Sequence, residues 1–125
     1  MIHVAVPLFI TGAMPFILTG VAKAGAFTPK DNRETRNWQA QLTGWRQRAH
    51  WAHQNSFEAF PLFAASLLAA QAAAPASAVI PAAAWGFVAA RVAYAACYIA
   101  DVATLRSLVW FAGVLCCAAL LVAAV

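Results

Sequence analysis

Charged residues are scarce in this sequence. Of its 125 residues, only 10% are Asp, Glu, Lys or Arg, whereas 64% are hydrophobic. Soluble domains contain about 25% charged and about 45–50% apolar residues, so a soluble fold of this composition would have too little polar surface to cover its core. The composition excludes an ordinary soluble domain and indicates a chain that lies mostly in lipid.

Acidic residues and cysteines are also few. Four acidic residues stand against eight basic ones, but six of the basic residues lie between Lys23 and Arg48, beside apolar runs. This clustering indicates membrane topology and not a nucleic-acid surface. The cysteines, Cys97, Cys116 and Cys117, lie in apolar runs without metal-ligand spacing, so neither a disulfide framework nor a metal site is predicted.

Four apolar runs are close to the length of about 20 residues that a helix needs to cross a bilayer. They predict helices at about 2–22, 46–73, 78–100 and 107–124, with a polar loop over 24–47. No basic residue precedes the first run, so we expect a retained helix and not a cleaved signal. Very short loops between the later helices place neighbours antiparallel. The sequence therefore predicts one all-α domain, a four-helix bundle integral to the membrane.

The charge of the loops predicts the orientation of this bundle. The first loop and its borders are rich in Lys and Arg, whereas the turn after the second helix has neither. Because basic loops stay on the cytoplasmic side, we expect a multi-pass inner-membrane protein with its first loop in the cytoplasm and both termini opposite. Alanine-rich helices further predict close helix packing, within or between subunits.

Polar residues recur with helical spacing in the second and third predicted helices. One face of the second carries Arg48, Asn55 and Glu58, and one face of the third carries Arg91, Tyr94, Tyr98 and Asp101. A charge inside a membrane helix costs roughly 2.5–3.5 kcal/mol on insertion scales. We therefore expect Glu58 to be buried beside Arg48, Asn55 or Arg91.

Two interpretations of these stripes remain open. In the first, Arg91 pairs with Glu58 and the set only holds helices together. In the second, a cationic pocket at the cytoplasmic helix ends binds a small polar anion, since arginine binds carboxylates with two hydrogen bonds at once. A metal site is not predicted, because His50 and His53 lack a third ligand and His3 should lie across the membrane.

The segment from Trp51 to Phe63, with its flanking Arg48, resembles the second-helix signature of the MAPEG family, the membrane-associated proteins in eicosanoid and glutathione metabolism. The positions that match are Arg48, Ala52, Asn55 and Glu58, then Arg91, Tyr94 and Tyr98 in the third helix and Arg106 at the start of the fourth. The second arginine of the signature falls at Trp51, which removes one usual contact to a glutathione carboxylate.

This resemblance implies a homotrimer that binds glutathione between subunits and activates its thiol towards a small lipophilic electrophile, as a transferase or peroxidase. Arg106 would stabilise the thiolate. The substrate-binding candidates that it implies are Arg48, Asn55, Glu58, Arg91, Tyr94 and Tyr98, with His53 and Trp51 as further candidates. The alternatives are a non-catalytic structural or interaction protein of the membrane and, ranked last, a small transporter.

Overall fold

The chain folds entirely into helices and the turns that join them. A computed structural model describes residues 1–125 and contains no strand. The helices are α1 (Ile2–Lys23), α2 (Thr35–Ala40), α3 (Gly44–Ala73), α4 (Val79–Ile99) and α5 (Ala103–Ala123). All except α2 are long and apolar enough to cross a membrane. The predicted all-α fold with four candidate membrane spans is therefore confirmed.

Two connections differ from the sequence-based expectation. The segment predicted as a loop over 24–47 contains a 3-10 turn, Asp31–Glu34, and the six-residue helix α2. Helix α5 begins at Ala103 and not at Ser107, because Asp101 adopts a left-handed conformation with φ of 64° and reverses the chain immediately. An aspartate tolerates this conformation better than most residues, so three residues suffice to join α4 to α5.

The main hydrophobic core fills the half of the bundle near the turn between α3 and α4, here called the distal half. Phe63 of α3 stacks on Phe87 of α4, with ring centroids 4.0 Å apart. The buried cluster around this pair consists of Val4, Phe63, Leu67, Ala70, Ile80, Ala83, Ala84, Phe87, Cys117 and Leu120. The opposite half, next to the segment 24–43, is called the loop half and has only smaller apolar clusters.

Small residues bring α4 and α5 close together. A Cβ placed on Gly86 would lie 3.2 Å from the Sγ of Cys116, which is tighter than ordinary van der Waals contact. A Cβ placed on Gly113 of α5 would lie 3.6 Å from the Phe87 ring, an ordinary van der Waals contact. Such contacts are how membrane helices associate when lipid supplies no hydrophobic driving force between them.

Candidate functional site

Arg48 stabilises the end of α4. Its Nε donates a hydrogen bond to the carbonyl oxygen of Ile99 at 3.0 Å, and its Nη1 lies 3.9 Å from Oδ2 of Asp101, the only ion pair in the chain. A cation beside the last carbonyls of a helix is favourable because that end carries partial negative charge. Arg48 shares a helix face with Asn55 as expected, but seven residues separate them by about 10 Å.

Glu58 is exposed in the single chain, so its predicted burial is wrong, although it contacts Asn55, one of the three partners expected for it. Its Oε2 accepts a hydrogen bond from Nδ2 of Asn55 at 3.2 Å, one turn away on α3. The ion pair between Arg91 and Glu58, which the first of the two interpretations assumed, is absent. Arg91 is buried, and its Nη2 donates to the hydroxyl of Ser56 at 3.3 Å while its guanidinium stacks 4.3 Å from the Tyr94 ring.

Asn55, Glu58 and Arg91 nevertheless line one cavity, here called the central cavity. It has a volume of about 180 Å³ and lies between α3, α4 and α5. Its remaining walls are apolar or weakly polar: Ala59, Leu62, Phe87, Trp110, Gly113, Val114 and Cys117. One end of the cavity thus presents a carboxylate, an amide and a guanidinium, and the other end is suited to hydrocarbon.

A second cavity of about 260 Å³, the tyrosine cavity, lies between α4 and α5. It is lined by Tyr94, Tyr98, Arg106, Ser107, Trp110 and Phe111. The guanidinium of Arg106 lies 4.4 Å from the centre of the Tyr98 ring, and the two tyrosine rings meet edge to face at 5.5 Å. Trp110 lines both cavities, so the two are neighbours on one side of the bundle.

His53 and Trp51 contribute to helix packing and line neither cavity. Nδ1 of His53 lies 2.7 Å from the carbonyl oxygen of Pro15, and since a carbonyl only accepts, this nitrogen must carry the hydrogen. The contact joins α3 to α1. Trp51 packs against Tyr98 with ring centroids 6.2 Å apart. No group of three or more His, Cys, Asp or Glu side chains comes together anywhere in the chain.

Three buried polar atoms have no hydrogen-bond partner, and all three belong to the first half of α3. They are Nη1 of Arg46, Nδ1 of His50 and Oδ1 of Asn55. Buried polar atoms in folded proteins almost always have a partner, either within the protein or an ordered water. Asn55 lines the central cavity, so a small movement of its side chain would let the unpaired oxygen accept a hydrogen bond from a ligand there.

Two residues of this site, Ser56 and Trp110, were not among the candidates predicted from the sequence. Ser56 follows Ala49 and Ala52 on the buried face of α3 at spacings of three and four, and a hydroxyl on such a face signals an interhelical hydrogen bond. Trp110 lies four residues after Arg106, hence on the same face of α5. Helical spacing from Arg106 would have found it.

The chain was compared with family models, curated proteins and solved structures. The model of the MAPEG family matches residues 2–125. Comparison with curated proteins and with solved structures gave no match. With four helices able to span a membrane and a family match along its full length, the chain belongs to the MAPEG family and is a multi-pass membrane protein.

Proposed function

We propose that this protein binds glutathione in the loop half of the bundle and activates its thiol towards a lipophilic electrophile, as a membrane transferase or peroxidase. The observation that carries the proposal is a pair of arginines, Arg91 and Arg106, that line adjacent cavities without any acidic partner in an ion pair. Glu58 shares the cavity of Arg91 without forming an ion pair with it, and no acid lines the cavity of Arg106. A cation without an ion-pair partner beside a cavity favours an anionic ligand.

The charges of the site are complementary to those of glutathione, which carries two carboxylates, one ammonium and one thiol. Arginine is the side chain best suited to a carboxylate, because its planar fork donates two hydrogen bonds. The exposed carboxylate of Glu58 suits an ammonium group. The unpaired Oδ1 of Asn55 would accept a hydrogen bond from an amide or ammonium of the tripeptide.

Arg106 is the proposed catalytic residue. A free thiol has a pKa of about 8.5 and is mostly protonated at neutral pH, whereas a nearby cation favours the thiolate that acts as nucleophile. Arg106 lies in the first turn of α5, where its guanidinium stacks on Tyr98 and is held in place. The tyrosine hydroxyls of Tyr94 and Tyr98 would donate further hydrogen bonds to the bound tripeptide.

A second subunit would complete the site. Ligand pockets usually enclose about 300–1,000 Å³, and the two cavities measure about 180 and 260 Å³ in the single chain. We propose a homotrimer of antiparallel four-helix bundles in the inner membrane, with the first loop in the cytoplasm and both termini opposite. The electrophile would then enter from the bilayer through the apolar end of the central cavity.

One observation favours the rival role, a purely structural or interaction protein. Arg48, His53 and Arg91 each hydrogen-bond to a neighbouring helix or its end. In such a protein the polar residues would only hold the bundle together. Unlike the enzymatic proposal, this role gives no reason for the unpaired Oδ1 of Asn55 or for the position of Arg106 over Tyr98.

Isothermal titration of the detergent-purified protein with glutathione tests the proposal, together with absorbance of the thiolate in the ultraviolet. We expect binding at millimolar glutathione or below. Arg106→Ala should lower the rate of conjugation of a model electrophile by about 10²-fold or more, the usual effect of removing one group that stabilises a developing anion, and should remove the thiolate signal. Its affinity for glutathione should stay within about tenfold of the original.

The matched control is Arg33→Ala, which removes the same charge from the first loop, outside both cavities. It should leave binding and turnover unchanged. If the unmodified protein binds no glutathione and forms no thiolate, the enzymatic proposal fails and the structural role replaces it. Normal turnover by Arg106→Ala would mean that Arg106 is only a charge at a helix end.

A further inference from the structure

We infer that a separate pocket between α2 and α3 binds the phosphate group of an anionic phospholipid. This interfacial pocket has a volume of about 300 Å³ and is lined mainly by Arg36, Gln39, Gln47, His50, Trp51 and Gln54. It shares no lining residue with the central cavity or the tyrosine cavity. Of its lining residues only Trp51 was a candidate for the glutathione site, and the inference does not depend on that role.

The charge of the interfacial pocket is positive and uncompensated. No acidic side chain lines it, and Arg36 forms no ion pair. The two acids of the same loop bond to neutral donors instead, Asp31 to Thr28 at 2.6 Å and Glu34 to Asn37 at 2.6 Å. Arg36 is thus left as a free cation beside a pocket of amide donors, which is the chemistry that recognises a phosphate.

His50 adds a second polar group that lacks a partner. It lines the interfacial pocket, and its buried Nδ1 makes no hydrogen bond within the chain. The neighbouring His53 is stacked on it at 5.5 Å but bonds to Pro15 of α1, so His53 does not supply the missing partner. Buried polar groups rarely remain unpaired, so a small movement of the His50 ring, which lines the pocket, would let its Nδ1 bond to a ligand there.

The depth of the interfacial pocket points to a lipid as the source of the phosphate. Helix α4 has 21 residues, a length of about 31 Å, which matches the roughly 30 Å of a bilayer's hydrocarbon. Its last residue, Ile99, is hydrogen-bonded to Arg48 of α3, so Arg48 marks the hydrocarbon boundary. Gln47 and His50 lie within about 3 Å of Arg48 along the axis of α3, so this part of the pocket lies close to the boundary between hydrocarbon and headgroups.

Two further features agree with this depth. Trp45 and Trp51 of the same helix segment are partly exposed, as aromatic residues at a membrane interface are. The basic loop predicts that this side faces the cytoplasm, where the leaflet carries anionic lipid. A phosphate at this depth would reach the pocket from the bilayer without leaving the membrane.

Native mass spectrometry of the full-length protein in detergent tests the inference, with phosphatidylglycerol or phosphatidylcholine added at matched concentration. We expect phosphatidylglycerol to bind, and phosphatidylcholine to bind more weakly because its choline cation faces Arg36. Arg36→Gln should weaken phosphatidylglycerol binding by about tenfold or more. The control Arg33→Gln removes the same charge from the same loop but lines a different pocket, and should bind within about twofold of the original.

A second variant, His50→Ala, separates the pocket from general surface charge, since it leaves the net charge of the loop unchanged. It should also weaken binding of phosphatidylglycerol. Equal weakening by Arg33→Gln and Arg36→Gln, or unaltered binding by Arg36→Gln, would overturn the inference. The inference would also fail if inorganic phosphate alone raised the melting temperature as much as phosphatidylglycerol does. The site would then bind free phosphate and not a lipid.

Discussion

The distal half and the loop half of the bundle are stabilised by different interactions. In the distal half, ten buried residues form one apolar cluster around the stacked rings of Phe63 and Phe87. In the loop half, helices are joined by single polar contacts, such as Arg48 to Ile99 and Arg91 to Ser56. The unpaired buried atoms all lie on the α3 segment that runs through the loop half.

Helix α3 runs through both halves, so this difference places residues that determine stability and residues that determine function at opposite ends of one helix. Tight packing leaves little room for a ligand, and the distal half has the close helix contacts at Gly86 and Gly113. The loop half has the tyrosine cavity, the interfacial pocket and the polar end of the central cavity, whose apolar end reaches Phe87 and Cys117 of the distal half. Substitutions in the distal half should therefore change mainly the stability of the protein, whereas those in the loop half should change mainly what it binds and how fast it reacts.

The largest effect is expected from Phe63→Ala in the distal half. The side chain is fully buried against Phe87, and truncating a buried Phe costs about 3–5 kcal/mol in soluble cores. We expect the lower end of that range, because lipid is itself apolar. Thermal unfolding in detergent measures the loss. Phe9→Ala removes a 76% exposed ring and serves as the control, with little change in melting temperature.

An intermediate effect is expected from Arg48→Ala in the loop half. It removes a charged hydrogen bond to Ile99, worth about 1.5–3 kcal/mol, and lowers the melting temperature accordingly. Because Arg48 secures the turn just before α5, the loss should also displace Arg106 and reduce turnover more than glutathione affinity. A fall in glutathione affinity with unchanged turnover would instead mean that Arg48 binds the tripeptide directly. Arg48→Lys retains the charge without the planar fork and should restore stability only in part.

The smallest effect is expected from lowering the pH, which should destabilise only the first loop. The hydroxyl and amide of Thr28 donate hydrogen bonds to Asp31, the hydroxyl being the stronger influence, and lower the pKa of that carboxyl. Because the pKa is lowered, the ionised carboxyl stabilises the folded loop at pH values above the ordinary pKa of an aspartate, about 3.9. This stabilisation is lost as the pH falls through the lowered pKa.

Fluorescence of Trp38, whose ring meets Phe27 in the same loop, would report the loss during titration below about pH 4. A variant retaining only Trp38 among the five tryptophans isolates the signal. Thr28→Val should move the transition to higher pH, since it removes the hydroxyl donor. A transition that Thr28→Val leaves in place would show that another group titrates.

The sequence predicted the membrane helices well because length and apolar composition determine them almost alone. It missed α2, a helix of six residues in a polar segment without hydrophobic periodicity. The early start of α5 was missed for a different reason. The backbone reversal at Asp101 depends on a left-handed conformation that the sequence around it does not signal.

The site was predicted less completely, because helical spacing gives the face of a residue and not its neighbour. Arg48 and Asn55 do share a face, yet Arg48 reaches the end of α4 while Asn55 lines the central cavity. In one of the two interpretations Arg91 forms an ion pair with Glu58. It bonds instead to Ser56, whose small side chain lets α3 and α4 come close.

The three-residue turn between α4 and α5 also has a consequence for how the protein is made. Helix α4 contains Arg91, a charge that opposes transfer from the translocation machinery into lipid. Helix α5 is the more apolar of the two and follows after only Ala100–Val102. We therefore expect the two to partition into the bilayer as one helical hairpin, in which the more apolar α5 offsets the cost of inserting Arg91.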